Sequence, residues 1–594
     1  MKRLSLLLQW GVALSLCEGF AGGQSWPQWA LNPQHTGQVN VAGQALNHTL
    51  ADIVYDPLAP AEMTAEFGEL LAHYQVPLID SGANIFMEFK SGTYNKNRYD
   101  TQIWGENGFQ WINGALTQIW SFTSDWKAPG SQADFWEPVF HAVLTNGYVY
   151  VPGAYGTIFK LRKSDGSVVS RINPFPGLDP TIIVAGVLSA DSSGNIYYNA
   201  IQQFNPGTGI SFYAHDIIDS WLVKVSPQDS TSKVSYSVLT AATAANSLPS
   251  PQPTDLCLGE FSVKQLPWPP TATAVPPSSP CGHMRPALNA APAIALDGTI
   301  YTITRSQFGD GDGRYSGMAA VNPDLTPKWW TSFRDRLNDA CNNDAGTFPG
   351  ALLPANGTPG GCALGTTPGV DPAQNTKPAA RVLDDASSSP TVAPDGSILY
   401  GSYTRYDFAR GHLLHFDSSG QFRGAYSFGW DSTPAIYQHG ATYSIVIKDN
   451  EYGGGPQFGS YCNTDSICPP RQNGPFFITQ LDPNLNVEWK FQNTNMQACT
   501  RNPDGTITCV PNSSGNQWPN IGFEWCINAP VVDVNGVVYA NSEDGNLYAI
   551  NQGGTLKANI FMQSALGAAY TPLAIGPDGK IYTENKGHLI VVGQ

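Results

Sequence analysis

Groups that can move protons, hold cations or stack on flat rings stand in small clusters just ahead of apolar runs along this chain. His141 precedes Ala142-Val143-Leu144, Arg285 precedes Ala291-Pro292, and Asp384 and Asp385 precede Ser389-Pro390. Trp430 and Asp431 precede Thr433-Pro434, Glu524 and Trp525 precede Ala529-Pro530, and Tyr570 precedes Thr571-Pro572. Carboxylates serve as general bases or cation ligands, and a guanidinium neutralises oxyanions. Elsewhere, Phe308-Gly309-Asp310-Gly311-Asp312-Gly313-Arg314 sets two candidate metal ligands, Asp310 and Asp312, between glycines. This is a fragment of a Ca²⁺ loop without the third ligand and terminal Glu of an EF-hand, and an ordinary acidic turn explains it as well. Neither a His-Glu-x-x-His nor a Gly-x-Ser-x-Gly signature occurs, and the histidines are scattered.

The elements that must position these clusters repeat. Ala291-Pro292-Ala293-Ile294-Ala295-Leu296-Asp297-Gly298-Thr299-Ile300-Tyr301 returns as Ser389-Pro390 to Tyr400, Ala529-Pro530 to Tyr539 and Thr571-Pro572 to Tyr582. Each is a short strand, an Asp-Gly or Asn-Gly turn that supplies the positive φ of a tight hairpin, and a second strand ending in Tyr. A third strand and turn follow, twice with a Trp at one spacing, Trp329 and Trp489. Four strands per unit make a propeller blade. Less regular openings near Tyr74–Ile79, Phe140–Tyr150, Ala185–Ala190 and Ser432–Tyr437 bring the count to about eight, within the usual range for propellers.

The expected fold is therefore all-β, a single eight-bladed propeller of four-stranded blades. The last unit has room after Tyr582 only for His588–Val592, so Leu50–Tyr55 is expected to supply its fourth strand and close the ring. Because the innermost strand of each blade lines the central channel, the reactive clusters should ring the channel's mouth.

With its Pro/Asp-Gly/Tyr hairpins, the Trp after the third-strand turn, Trp26-Pro27-Gln28-Trp29 and Asn32-Pro33-Gln34-His35-Thr36-Gly37, the chain resembles the pyrroloquinoline-quinone (PQQ)-like propellers. These include the quinoprotein alcohol dehydrogenases and the outer-membrane assembly lipoprotein BamB. For a dehydrogenase, the resemblance implies PQQ and Ca²⁺ as cofactors. Trp430 or Trp525 would then be a stacking floor, Asp384, Asp385 or Asp431 a base or Ca²⁺ ligand, and Arg285 a partner for the quinone, with His141, Glu524 and Tyr570 on the same rim. The chain departs from those enzymes in lacking an adjacent Cys-Cys pair and a Cys-x-x-Cys-His haem attachment.

Lys2 and Arg3 before the apolar run Leu4–Leu16, followed by small residues near Ala21 and Gly23, read as a signal peptide over residues 1–23, with the propeller filling 24–594. Cys17 follows Leu16 rather than a small residue, which disfavours a lipid anchor. No later run is long enough to span a bilayer. With 31 basic against 47 acidic residues, a net charge of −16 and no Lys/Arg cluster, nucleic acid is excluded as a partner.

Local cysteine pairs, Cys257–Cys281, Cys341–Cys362, Cys462–Cys468 and Cys499–Cys509, would staple loops in an oxidising compartment and leave Cys526 as a buried thiol. Long insertions are expected at about 226–289, 334–381 and 450–474.

The leading expectation is a secreted or periplasmic, monomeric binding scaffold for an envelope or extracellular protein or a small molecule. The alternatives are a PQQ- and Ca²⁺-dependent alcohol or sugar dehydrogenase, and a polysaccharide hydrolase or lyase built on the rim carboxylates and aromatic rings.

Overall fold

The computed structural model describes residues 25–66, 68–70, 73–95, 98–129, 139–204, 215–257, 279–307, 315–333, 336, 382, 388–403, 411–428, 432–450, 475–512, 522–568 and 571–594. Turn chemistry builds the hairpins. Gly298, Gly396, Gly536 and Gly579 sit at φ 84°, 82°, 80° and 82°. The side chains of Asp297, Asp395 and Asp533 each accept a backbone N–H two residues on, at 2.8–2.9 Å. An Asx turn followed by a left-handed glycine is locally self-sufficient, so the four openings fold alike.

Eight antiparallel blades result. Their first strands are Leu78–Ile79, Val143–Thr145, Ile182–Ala190, Ala293–Ile294, Thr391–Val392, Ala435–His439, Val531–Val532 and Ala574–Ile575. All eight fall within or beside the openings read from the sequence. The last blade is completed by His48–Val54, which pairs antiparallel with His588–Gly593 from His48↔Gly593 to Val54↔His588. The two ends of the chain therefore share one sheet, as the missing fourth strand required. Helix is confined to Ala59–Ala65, Tyr236–Leu239 and a 3-10 turn at Tyr99–Thr101 among the described residues.

Adjacent blades are joined by a recurring indole contact. Trp120 on the first blade's outer strand donates to Lys163 O of the second blade at 2.8 Å, and Trp329 of the fourth donates to Ser418 O of the fifth at 3.0 Å. Each indole lies over a glycine of the neighbour's third-to-fourth-strand turn. A Cβ on Gly166 would come within 2.5 Å of Trp120, on Gly420 within 2.8 Å of Trp329, and on Gly554 within 3.1 Å of Trp489. These glycines also have φ of 68°, 81° and 71°, so both the turn and the docked ring require them.

The Trp26–Gln44 segment has a role that the sequence did not disclose. It runs around the inner strands and bonds to all eight blades in order. Trp26 exchanges two backbone hydrogen bonds with Ile79, Leu144 N donates to Pro27 O, and the Gln28 amide pairs with Ala190. Ile294 N then donates to Pro33 O, Val392 N to Gln34 O, Ile436 N to Thr36 O and Val532 N to Gly37 O, and Gln44 N donates to Gly579 O. Trp29, Ala30, Leu31 and His35 are buried within this thread, which closes the channel at the end carrying the Asp-Gly turns.

The longer connections open on the other end. They join second to third strands, as between Gln202 and Asp219 or Asn450 and Phe476, and fourth strands to the next blade, as between Ser332 and Thr391 or Gln492 and Val531. In an up-and-down sheet these two kinds of connection share one face, so one end is short-turned and plugged while the other is elaborated.

The stretch from Ser226 opens with the third blade's fourth strand, Thr231–Ser235. It ends with Met284–Pro286, which pairs with Thr304–Ser306 beside the fourth blade's first strand. Cys499 and Cys509 face each other across the hairpin Gln497–Arg501/Ile507–Pro511 and form a disulfide. Cys281 is also disulfide-bonded, and Cys526 is free and buried. Cys341, Cys362, Cys462 and Cys468 lie outside the described residues. No helix among the described residues is long and apolar enough to cross a membrane.

Candidate functional site: the elaborated channel mouth

Short polar side chains just upstream of the inner strands link blade to blade. Ser389 Oγ accepts from Ala291 N at 2.8 Å, Thr433 Oγ1 accepts from Ser389 N at 2.9 Å, and Thr433 N donates to Asn528 O at 2.8 Å. Asn541 Nδ2 continues the chain to Thr571 Oγ1 at 2.6 Å. These groups are buried, and each bond satisfies a polar atom that would otherwise be costly to desolvate.

Four residues expected at the rim are described. His141 is buried, edge-on to Trp29 at 5.9 Å, with Nδ1 bonded to Ala142 O at 2.7 Å. Burial lowers its pKa to about 4 against the opposing pull of backbone hydrogen bonds, so it is neutral at physiological pH. Arg285 is buried in the edge strand, paired in register with Arg305, and donates to Gln307 and to Pro286 O. Trp525 is fully buried, edge-packed on Tyr548 at 5.0 Å, and donates to Phe476 O at 3.2 Å. Asn450 clamps the Trp525 backbone from both sides. Asp310, Asp312, Asp384, Asp385, Trp430, Asp431 and Tyr570 lie outside the described residues.

Glu524 enters a group whose other members the sequence reading missed. Its carboxylate, the Cys526 thiol and the Glu543 carboxylate bring one atom each to within 4.8 Å of one another, all buried. Cys526 Sγ lies 3.3 Å from Glu543 Oε1 and 3.8 Å from Glu524 Oε1. Glu543 sits in the turn between Val538–Asn541 and Asn546–Asn551, and its N–H donates to Glu524 O.

Glu69 arrives from the connection between the last and first blades and hydrogen-bonds Glu543. Leu70 N→Leu566 O and Leu566 N→Glu543 O fix that connection in place. Burial first, and then the neighbouring carboxylates, push Glu543 well above the usual carboxylate range and Glu69 up to about 7. Burial and the same acids raise Cys526, leaving an unreactive thiol. The group is thus held together by shared protons, and its O,O,S donor set is spaced to hold one cation in their place.

A second buried group lies on the same connection. Asp56 Oδ2 is 2.8 Å from His73 Nε2 and 2.5 Å from Lys90 Nζ, with Glu62 3.9 Å from His73. Burial would raise the Asp56 pKa, but Lys90 and His73 override it and hold the carboxyl below its ordinary range. The ammonium, 3.0 Å from His73 Nε2, stands where a metal would otherwise sit. This is a compensated ionic anchor.

No known protein family matches the chain as a sequence, and no characterised protein does. In structure the chain is similar to a europium-containing methanol dehydrogenase, at 12% identity over 95% of this chain and 89% of that one with a TM-score of 0.46. It is also similar to the quinohemoprotein alcohol dehydrogenase of Comamonas testosteroni, at 12% over 96% and 81% with a TM-score of 0.49. BamB of Moraxella catarrhalis is similar at 12% over 84% and 90%, with a TM-score of 0.33.

Proposed function

We propose that the protein is an exported binding propeller that engages an envelope or extracellular protein, or a small molecule, through its elaborated face. The observation that carries this reading is the asymmetry of the two ends. The N-terminal thread and the tight Asp-Gly turns leave one end nothing to vary, while the strand ends at the other end are joined by the long connections, beside polar groups that hydrogen-bond neighbouring blades. Scaffold rigidity beneath variable connections is how loops are used for recognition.

A quinone-dependent dehydrogenase needs an open indole for the cofactor. Among the described residues at that end, Trp104, Trp126 and Trp525 are all buried and packed edge-on or tilted against other rings. Arg285 is committed to Gln307 and Pro286. Among the described residues, the indoles at that end are thus engaged in packing rather than open to stack on a quinone.

The test is comparative capture of partners from an envelope or culture-fluid extract. Asn450 and Phe476 pair directly, so a short turn can replace residues 451–474 without moving the strands. That variant should lose the captured partner, whereas Lys328→Glu on the plugged face should keep it. The reverse pattern overturns the proposal. Titration of the same preparation with PQQ and Ca²⁺, followed by Trp fluorescence, separates this reading from a dehydrogenase, which requires saturable quenching.

A further inference from the structure

A cavity of about 700 Å³ lies on the flank between the sixth and seventh blades, away from the channel. Its floor is the seventh blade's outer strand with Leu556, Asn559 and Phe561, one wall is the chain leaving the sixth blade, and the other is the disulfide-closed hairpin. The volume lies within the range of small-molecule sites, about 300–1,000 Å³.

The composition of the lining is selective. Among the described residues it contains no Asp, Glu, Lys, Arg or His. Its polar groups are amides and the hydroxyls of Thr494 and Tyr548, with Gln492, Gln497 and Asn559 exposed, and its apolar surface includes Leu556 and Ile507 at 48% and 46% exposure.

The walls are also fixed. Asn493 bonds Ser542 Oγ at 2.8 Å and Asn495 bonds Asp544 at 2.9 Å, which ties the sixth blade's exit to the seventh. Arg501 donates to Met562 O and Phe561 O and lies over the Phe561 ring, which ties down the hairpin. A site held this way loses little freedom on binding.

We propose that this cavity binds a neutral saccharide. Each sugar hydroxyl is at once a donor and an acceptor, and a primary amide offers both functions on one rigid plane. The C–H faces of a pyranose need apolar surface beside those amides, which Leu556, Ile507 and Phe561 supply. An anionic ligand would find no counter-charge among the described lining residues and would approach a chain of net charge −16. The inference deepens the binding-propeller reading by naming a ligand class, at a site separate from the channel mouth.

The test is calorimetry and saturation-transfer NMR of the full mature chain against neutral gluco-, manno-, galacto- and N-acetylglucosamine oligosaccharides. A uronate oligosaccharide, a nucleoside and a Pro-rich peptide are run beside them. At least one neutral series should bind saturably in the micromolar to millimolar range. Gln497→Ala and Asn559→Ala should each weaken it by about three- to tenfold, the value of one hydrogen bond. Leu556→Arg should abolish it. All three positions are exposed, so unchanged thermal unfolding will show that the fold is intact.

No binding by any neutral series, equal binding by the variants, or binding confined to the uronate, the nucleoside or the peptide would overturn the proposal. If sugar binding fails while partner capture at the mouth persists, only this inference falls. Loss of both removes the binding-propeller reading as well.

Discussion

At the scale of single residues, the mouth is governed by buried ionisable groups from opposite ends of the chain. Glu69 is protonated in the folded state up to about pH 7, whereas in the unfolded chain it releases its proton near the ordinary glutamate value of 4.5. Between those values the folded state binds more protons, so this group's contribution to stability falls as pH rises and is constant above about 7. Glu69→Gln should therefore gain stability relative to wild type across that window. Urea unfolding of both proteins at about pH 5 and about pH 8 checks it, and a gain that does not grow with pH would refute the assignment.

His141 and His35 act in the opposite sense. Burial lowers both to about 4, so the stability they contribute is present above the unfolded value of 6.5 and is lost as pH falls toward 4. Lys90→Met should cost about 3–5 kcal/mol, because Asp56 would be left charged and buried without its ammonium partner. His141, Glu524 and Trp525 could be placed near the mouth from sequence because each precedes a recognisable strand. Glu69 and Glu543 could not, since only the ring's closure brings the connection after the N-terminal strand against the seventh blade.

At the scale of elements, the hairpins were legible because their specification is local. Asp297-Gly298 and its three counterparts carry both the side-chain acceptor and the left-handed residue within the turn. Trp329 and Trp489 were visible as spacings, but their partners were not, because Gly420 and Gly554 belong to the following blade. Trp329→Ala should cost about 3–5 kcal/mol through the lost packing of a large ring. Gly420→Ala should also destabilise, since the new methyl meets the indole and the backbone remains at φ 81°. In the double variant the two losses should not add, because the same contact is removed twice, and a denaturant double-mutant cycle measures this coupling. Full additivity would show that indole and glycine are not one unit.

At the scale of the molecule, the thread and the closing strand bind the ring in two different ways. His48–Val54 removes a sheet edge, while Trp26–Gln44 spans every inner strand. Deleting residues 25–47 should destabilise far beyond the usual range of a single substitution, about 0.5–3 kcal/mol, because contacts to all eight blades are lost together. Equilibrium unfolding of the truncated chain measures it, and a midpoint close to wild type would show the thread to be dispensable. The phrase Asn32-Pro33-Gln34-His35-Thr36-Gly37 stood out in the sequence, yet its task was hidden because the work is done largely by backbone carbonyls, which leave little trace in residue type.

The pairing of His48 with Gly593 also sets an order of events in the life of the polypeptide. His48–Val54 finds its partner only when His588–Gly593 has emerged, so this strand stays unpaired while the seven preceding blades are made. Any blade formed meanwhile belongs to an open arc with two sticky borders. The commitment step is then a single late clasping of this strand to its partner, slow for a chain dominated by distant contacts, and a ribosome-stalled chain lacking His588–Gly593 should remain protease-sensitive over residues 48–54 however many blades precede the stall.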